Sequence, residues 1–253
     1  MTAVAASGRT RRSLRLARYI GVPVSVAIAC AAMWLYVQGQ ELDSIEQRII
    51  NSRNIRQAAS EQIEIALWAT ALTLIVAVPL GIALTRPWAR RITPPVIAVA
   101  NIGQGFPAIG LLFAIYIVWI RNGARATIIG LAAYALLPVL RGTMVGLQQV
   151  DRGVIKAARG MGMSKVAVLR RIELPLAVPI LLTGVRTALV LTVATAVLGA
   201  FIGAGTFGLF ITSGQAQGRQ LAVAVGSLGA AVMAIMADWA AGIVEDLLRP
   251  KGL

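Results

Sequence analysis

Long apolar runs alternate with short basic connections along this chain, and the pattern predicts a protein that crosses a membrane several times. Six runs are each long enough to cross about 30 Å of hydrocarbon as a helix, at about 1.5 Å per residue. They lie at residues 19–37, 63–84, 95–120, 126–147, 176–198 and 221–244. Because lipid offers no partners for backbone N–H and C=O groups, each run is predicted to be helical.

These runs predict an all-α fold, with one N-terminal anchor helix in front of a five-helix core. Residues 1–58 hold a basic tail, the anchor and the start of a polar external segment, whereas residues 59–247 form the transmembrane domain. A cleaved signal peptide is the alternative for the first run. We expect the anchor to be retained, because its apolar stretch is longer than a usual signal h-region.

Composition and charge support a membrane protein and argue against the obvious soluble classes. Apolar residues make up 58% of the chain and charged residues 13%, whereas a soluble domain carries about 25% charged residues. The net charge is +14, and most Lys and Arg residues fall on alternate connections. By the positive-inside rule, this bias places both termini in the cytoplasm and leaves no indication of nucleic-acid binding.

The sequence offers little for metal or thiol chemistry. It contains no histidine, and its single cysteine, Cys30, lies in an apolar run. Cys30 therefore has no disulfide partner within the chain and is interpreted as a small apolar side chain. We predict no metal site and no cofactor bound by this chain.

The basic connection at residues 148–175 predicts two short helices joined by a turn. Apolar residues recur at helical spacing on both sides of Gly160 and Gly162, and glycine readily adopts the positive φ that ends a helix. Asp151 and Ser164 stand where the caps of the two helices are expected. On these residues alone, a docking element and a solvated basic loop remain equally open.

A longer motif in this connection resembles the EAA signature of binding-protein-dependent ABC importer permeases. Residues 156–158 (Lys-Ala-Ala) are followed after three residues by Gly162, and after nine more by residues 172–175 (Ile-Glu-Leu-Pro). The resemblance implies that this loop couples the chain to a separate ATPase, which would bind ATP and Mg²⁺. The coupling residues that it implies are Asp151, Arg152, Lys156, Ala157, Ala158, Gly162, Ile172, Leu174 and Pro175.

One position departs from the family motif, because Lys156 stands where the family has glutamate. The reversed charge leads to the hypothesis that the partner ATPase presents an acidic or neutral residue there. An arginine facing Lys156 in a complex structure would contradict it.

Further stretches are similar to osmoprotectant permeases of the glycine betaine, choline and carnitine class. They are residues 79–82, 84–86, 99–104, 136–141, 157–163 and 202–205. The similarity implies an extracytoplasmic solute-binding protein, a second permease copy or a sister permease, and a location in the prokaryotic plasma (inner) membrane. Tryptophans such as Trp88 are scattered near run ends, which favours an interfacial belt over an aromatic cage for a quaternary ammonium group.

The segment at residues 203–208 matches G-x-G-x-x-G but is not interpreted as a nucleotide site. A dinucleotide site needs this motif after a strand, whereas here it follows a predicted transmembrane helix. Close helix packing or a glycine-rich turn is the expectation. The chain also lacks G-x-x-x-x-G-K-[ST], so we predict a transport subunit that is not itself an enzyme.

Polar residues inside two of the runs are candidates for the transport pathway or for the helix core. Asn101, Gln104 and Pro107 interrupt the third run, and either pathway lining or helix–helix hydrogen bonding would explain them. Arg186 and Asp238 lie within the fifth and sixth runs at depths that allow an ion pair. Solvation from the cytoplasmic side is the alternative for Asp238.

Three other functions stay open on the residues. An ABC permease for another small solute, such as an amino acid, would share the coupling motif. An ion-coupled secondary carrier would be expected to show acidic groups at the bilayer midplane and internal repeats. A membrane scaffold without transport would need neither.

Overall fold

A computed structural model describes residues 2–248, with side chains described from Tyr19 onward. The described chain is helical, and no β-strand occurs between residues 2 and 248, which confirms the all-α class. The helices are α1 (Thr2–Gln38), α2 (Ser44–Ile49), α3 (Ser52–Leu84), α4 (Thr93–Gly105), α5 (Ala108–Val118), α6 (Gly123–Tyr134), α7 (Leu136–Gln148), α8 (Arg152–Gly160), α9 (Lys165–Val168), α10 (Leu174–Thr195), α11 (Gly208–Ala216) and α12 (Gln220–Leu248). The basic side chains before Tyr19, and Arg249 and Lys251, lie outside this description.

Five helices are long and apolar enough to cross a membrane singly, and one bent pair would make six. The candidate span of the anchor is Tyr19–Gln38. The helix of the second span, α3, begins eleven residues before the apolar run, because Asn51 caps it by accepting a hydrogen bond from the Asn54 N–H at 2.8 Å. Its 33 residues span about 50 Å, so α3 extends beyond the hydrocarbon.

The third run is divided into two short helices, α4 and α5, whose axes differ by 97°. Pro107 occupies the N-cap position of α5 without a side-chain capping bond, and the preceding Phe106 is extended, with φ −71° and ψ 140°. A residue before proline disfavours the helical conformation, and proline cannot donate a backbone hydrogen bond. The interruption expected here is therefore a sharp turn, and neither helix alone has the roughly 20 residues needed to span.

Tight contacts between small residues hold α7 against α10 at the centre of the fold. A Cβ atom added to Gly142 would lie 3.1 Å from the Cα of Gly184, and one added to Gly146 would lie 2.9 Å from the carbonyl oxygen of Ala177. Such residues let membrane helices approach closely. Helices α3 and α6 complete this centre, and α12 packs on α10 with α1 on its other side.

The second helix predicted in the basic connection is not separate from the fifth span. Helix α9 continues through a π-helical turn at Leu169–Glu173 into α10, so one helix runs from Lys165 to Ile202. The N–H of Leu174 bonds to the Leu169 carbonyl in that turn. Because the next residue, Pro175, has no N–H to donate, the wider turn lies where the regular bonding pattern would be interrupted.

Candidate functional site

Helix α8 and the turn after it are fixed mainly by short-range hydrogen bonds. The Asp151 carboxylate caps α8 by accepting from the Gly153 N–H at 2.6 Å. The Ser164 hydroxyl caps α9 by accepting from the Ala167 N–H at 3.2 Å. Between the two helices Gly162 has a φ of +87°, which glycine adopts without strain. Both caps and the glycine turn agree with the sequence pattern.

The two alanines of the motif lie in different environments. Ala158 is buried at 1% exposure, whereas Ala157 is exposed. Asp151, Arg152 and Lys156 are also exposed. Of the two alanines, Ala157 is therefore available for contact with another protein, whereas Ala158 packs within its own chain.

Apolar side chains on this segment face away from the rest of the chain. Val154 is 43% exposed, Val166 64% and Met161 77%. Together with Ala157 they form what we name the docking surface. Grouped apolar side chains beside basic residues are typical of a protein interaction site.

A partly buried ion pair anchors the end of the loop to the segment just after α3, and sequence reasoning missed it. The Arg86 guanidinium donates to both carboxylate oxygens of Glu173, at 2.6 and 3.4 Å. The Glu173 side chain is 8% exposed and that of Arg86 is 31% exposed. Glu173 lies between the motif residues Ile172 and Leu174, which are half-buried, while Pro175 is exposed. The signal in the sequence was a lone carboxylate between the basic residues 170–171 and the apolar run of the fifth span.

The polar residues of the broken third run are not gathered into one site. Asn101 is exposed, and its side-chain oxygen accepts from the Arg141 guanidinium of α7 at 2.8 Å. Gln104 is half-buried and Pro107 is exposed. The Asn101 contact is the helix–helix hydrogen bond that was one of the two expectations, and Arg141 is a further charge within a span.

The structure brings Arg186 and Asp238 together between α10 and α12. Two guanidinium nitrogens of Arg186 lie 2.6 and 2.7 Å from the two Asp238 oxygens. A third contact, which sequence reasoning did not foresee, joins Arg186 to Glu245 at 3.3 Å. The Asp238 side chain is 47% exposed, so the pair is not sealed within the chain.

The glycine-rich segment at residues 203–208 is bound by side chains of α3. The Glu61 carboxylate accepts from the Gly205 N–H at 2.6 Å. Fully buried Gln62 accepts from the Phe207 N–H at 3.2 Å and donates to the Val193 carbonyl at 3.1 Å. These backbone N–H groups are therefore used by the chain's own side chains, and the segment is a packed turn.

The comparisons with known proteins agree with this architecture. Residues 77–250 match the family model of the binding-protein-dependent transport system inner membrane component. The carnitine transport permease protein OpuCD of Listeria monocytogenes is 38% identical over 177 residues, which are 70% of this chain and 78% of that protein. The glycine betaine/carnitine/choline transport system permease protein OpuCB of Bacillus subtilis (strain 168) is 34% identical over 203 residues, 80% and 92% of the two chains.

A solved structure shows the same fold. The inward-facing MetNI methionine ABC transporter contains a chain that matches with a TM-score of 0.68 at 22% identity, covering 78% of this chain and 97% of that one. At this identity the likeness concerns the fold alone. The family match and the two relatives together show that the chain belongs to the binding-protein-dependent inner membrane components, as a permease subunit of the ABC importer type.

Proposed function

We propose that this chain is the permease subunit of an ATP-driven importer for small osmoprotectants such as glycine betaine, choline or carnitine. The substrate class is supported by the names of relatives at 34–38% identity, which are carnitine, choline and glycine betaine permeases. The chain supplies the membrane path, and a separate subunit supplies the ATPase.

The docking surface is the observation that carries the coupling role. It presents exposed apolar side chains on a capped helix next to Arg152 and Lys156, at the position where the motif predicts a contact with the ATPase. That ATPase binds ATP and Mg²⁺. Closure of the ATPase moves α8, and the continuous helix from Lys165 to Ile202 carries the movement into the membrane.

The remaining parts of the proposal follow from the family and from charge. A solute-binding protein delivers the substrate on the outer face, and a second permease, identical or a sister chain, completes the pore. Both termini lie in the cytoplasm, because the basic residues around α8 then face inward. The outer end carries the turn at residues 203–208. Lipid surrounds the assembly, and no nucleic acid takes part.

Uptake measurements test the substrate class. We expect cells under salt stress to accumulate labelled betaine, choline or carnitine when they produce this chain with its ATPase and binding protein, and to lose that uptake without the chain. Labelled proline and methionine are the comparison solutes. Uptake of an amino acid alone would indicate the amino-acid type of importer. Uptake that survives ATP depletion and stops when ion gradients collapse would indicate a secondary carrier.

Co-purification tests the coupling role separately. Ala157→Trp adds bulk to the docking surface without entering the chain's own core, because Ala157 is exposed. We expect it to abolish retention of the ATPase. Ala167→Trp, at a half-buried position on α9, is a poorer probe because it also strains the chain. Full retention of the ATPase by Ala157→Trp would contradict docking at α8.

A further inference from the structure

A basic cavity lies at the loop end of the spans, between the end of α3, the start of α4 and the start of α8. Its volume is about 590 Å³, and its walls include Arg86, Arg90, Arg152 and Glu173. Apolar residues such as Leu147 and Ile155 complete the lining. The volume lies within the range of about 300–1,000 Å³ typical of small-molecule sites.

Two of the three arginines in this cavity are not used by the chain itself. Both terminal nitrogens of the Arg86 guanidinium donate hydrogen bonds to the Glu173 carboxylate. The side chains of Arg90 and Arg152 form no ion pair and no hydrogen bond within residues 19–248. Glu173 neutralises Arg86, so the positive charges of Arg90 and Arg152 remain in the cavity, and its most favourable occupant is an anion.

The cavity lies beside the ends of two candidate membrane spans. It lies at the ends of α3 and α7, both parts of predicted spans. Trp88, in the short 3₁₀ helix Pro87–Ala89 between Arg86 and Arg90, is 69% exposed. Exposed tryptophans beside span ends are typical of the headgroup region. Anionic lipid headgroups are found at this level of a membrane.

We propose that this cavity binds the phosphate of an anionic phospholipid headgroup, with Arg90 and Arg152 as its ligands. Basic pockets beside transmembrane helices are known to hold such headgroups, and guanidinium groups suit the geometry of phosphate oxygens. Because Arg90 follows α3 and Arg152 begins α8, the bound headgroup connects the membrane surface to the docking helix. The cytoplasmic side of the site rests on the proposed orientation, but lipid binding itself does not.

An acidic side chain of the partner ATPase is the rival occupant, since Arg152 lies beside the docking surface. The position of Arg90 favours lipid. It directly follows the 3₁₀ helix Pro87–Ala89, which carries the exposed Trp88, and it belongs to neither α8 nor α9, the two helices of the docking surface.

Lipid binding to the purified full-length chain tests the proposal without depending on transport. The chain is held in phosphatidylcholine nanodiscs or detergent, and retention of added phosphatidylglycerol is measured by native mass spectrometry. Arg90→Gln and Arg152→Gln remove the proposed ligands. Arg91→Gln is the matched control, because Arg91 is the exposed neighbour of Arg90 and does not line the cavity.

We expect each ligand variant to bind phosphatidylglycerol about fivefold more weakly, the effect of one basic residue near a membrane surface, while Arg91→Gln binds like the wild type. Inorganic phosphate at equal phosphate concentration should not displace the lipid. Equal binding by Arg90→Gln and Arg91→Gln would overturn the proposal. So would displacement by inorganic phosphate, or a complex structure in which an ATPase carboxylate fills the cavity. Loss of osmoprotectant uptake with lipid binding intact would instead bear on the proposed function alone.

Discussion

The segment around α8 and the glycine-rich turn at residues 203–208 both contain glycine turns. They differ in what stabilises them, local caps in the first and buried side chains in the second. The turn at residues 203–208 is packed inside the chain, where Glu61 and Gln62 accept hydrogen bonds from its backbone. Helix α8 is held by its caps, and Ala158 is its one buried residue in the described chain.

This difference separates a part that the chain completes by itself from the part that we propose binds the ATPase. Buried polar groups at the glycine-rich turn form hydrogen bonds within the chain, and these bonds stabilise the turn and hold it rigid. The docking surface leaves Val154, Met161 and Val166 exposed, so its apolar area is buried only when another protein covers it. Changes at the two ends are therefore expected to affect different measurements.

The largest effect is expected from Met161→Asp on the docking surface. Burial of a methionine contributes about 1.5–3 kcal/mol, and burial of an unpaired carboxylate adds a further cost. We expect ATPase affinity to fall at least about a hundredfold in a binding assay with purified subunits. The unfolding temperature of the chain alone should not change.

Gln149→Asp is the control for this variant, because it places the same charge on an exposed polar position next to α8. Affinity losses of equal size for the two variants would show that charge alone is responsible. Burial of Met161 against the ATPase would then be wrong.

At the opposite end of the comparison, Gln62→Leu is expected to destabilise the chain by about 2 kcal/mol. It leaves the Phe207 N–H without its acceptor, and a buried unsatisfied group costs about 1–3 kcal/mol. Thermal unfolding in detergent measures the loss. Gln57→Leu, at an exposed position on the same helix, should leave the unfolding temperature unchanged. Equal shifts in unfolding temperature for both variants would show that the Gln62 hydrogen bonds do not stabilise the turn at residues 203–208.

The ion pair between Arg186 and Asp238 is intermediate between the two regions, because its partners lie within the chain while Asp238 is half exposed. Arg186→Gln is expected to destabilise by about 1.5 kcal/mol, less than the loss of a fully buried pair would, because the Asp238 side chain is 47% exposed. The charge swap Arg186→Asp with Asp238→Arg would place two carboxylates side by side, since Glu245 lies 3.3 Å from Arg186. Recovery of stability is therefore expected only when Glu245→Gln is added. A triple variant as unstable as the single one would show that the residues are not partners.

The smallest effect is expected from Asp151→Ala at the start of α8. Loss of an N-cap costs about 1 kcal/mol of helix stability, and it should appear locally, because α8 has little packing to compensate. Backbone amides at residues 153–158 should exchange hydrogen about fivefold faster, with global unfolding unchanged. Asp151→Asn, which can still cap, is the control. Unchanged exchange in Asp151→Ala would mean that packing holds α8 after all.

Features that depend on residues close together in the sequence could be read from it. Apolar runs placed the spans, Asp151 and Ser164 marked the helix starts, and Gly162 marked the turn. The spacing from residue 156 to residue 175 indicated the family. Even Arg186 and Asp238 could be matched, because depth in a membrane follows from the number of residues along each helix.

Sequence reading could not supply what depends on packing between distant segments. It did not give the 97° turn between α4 and α5, nor that Ala158 is buried while Ala157 is exposed. It also missed the bond between Arg86 and Glu173, 87 positions apart, and the one between Gln62 and Phe207, 145 apart. Periodicity and capping act over a few residues, so they are written in the local sequence. Which buried polar groups meet is decided only when α3, α7 and α10 pack together, because burial then makes each unsatisfied group costly.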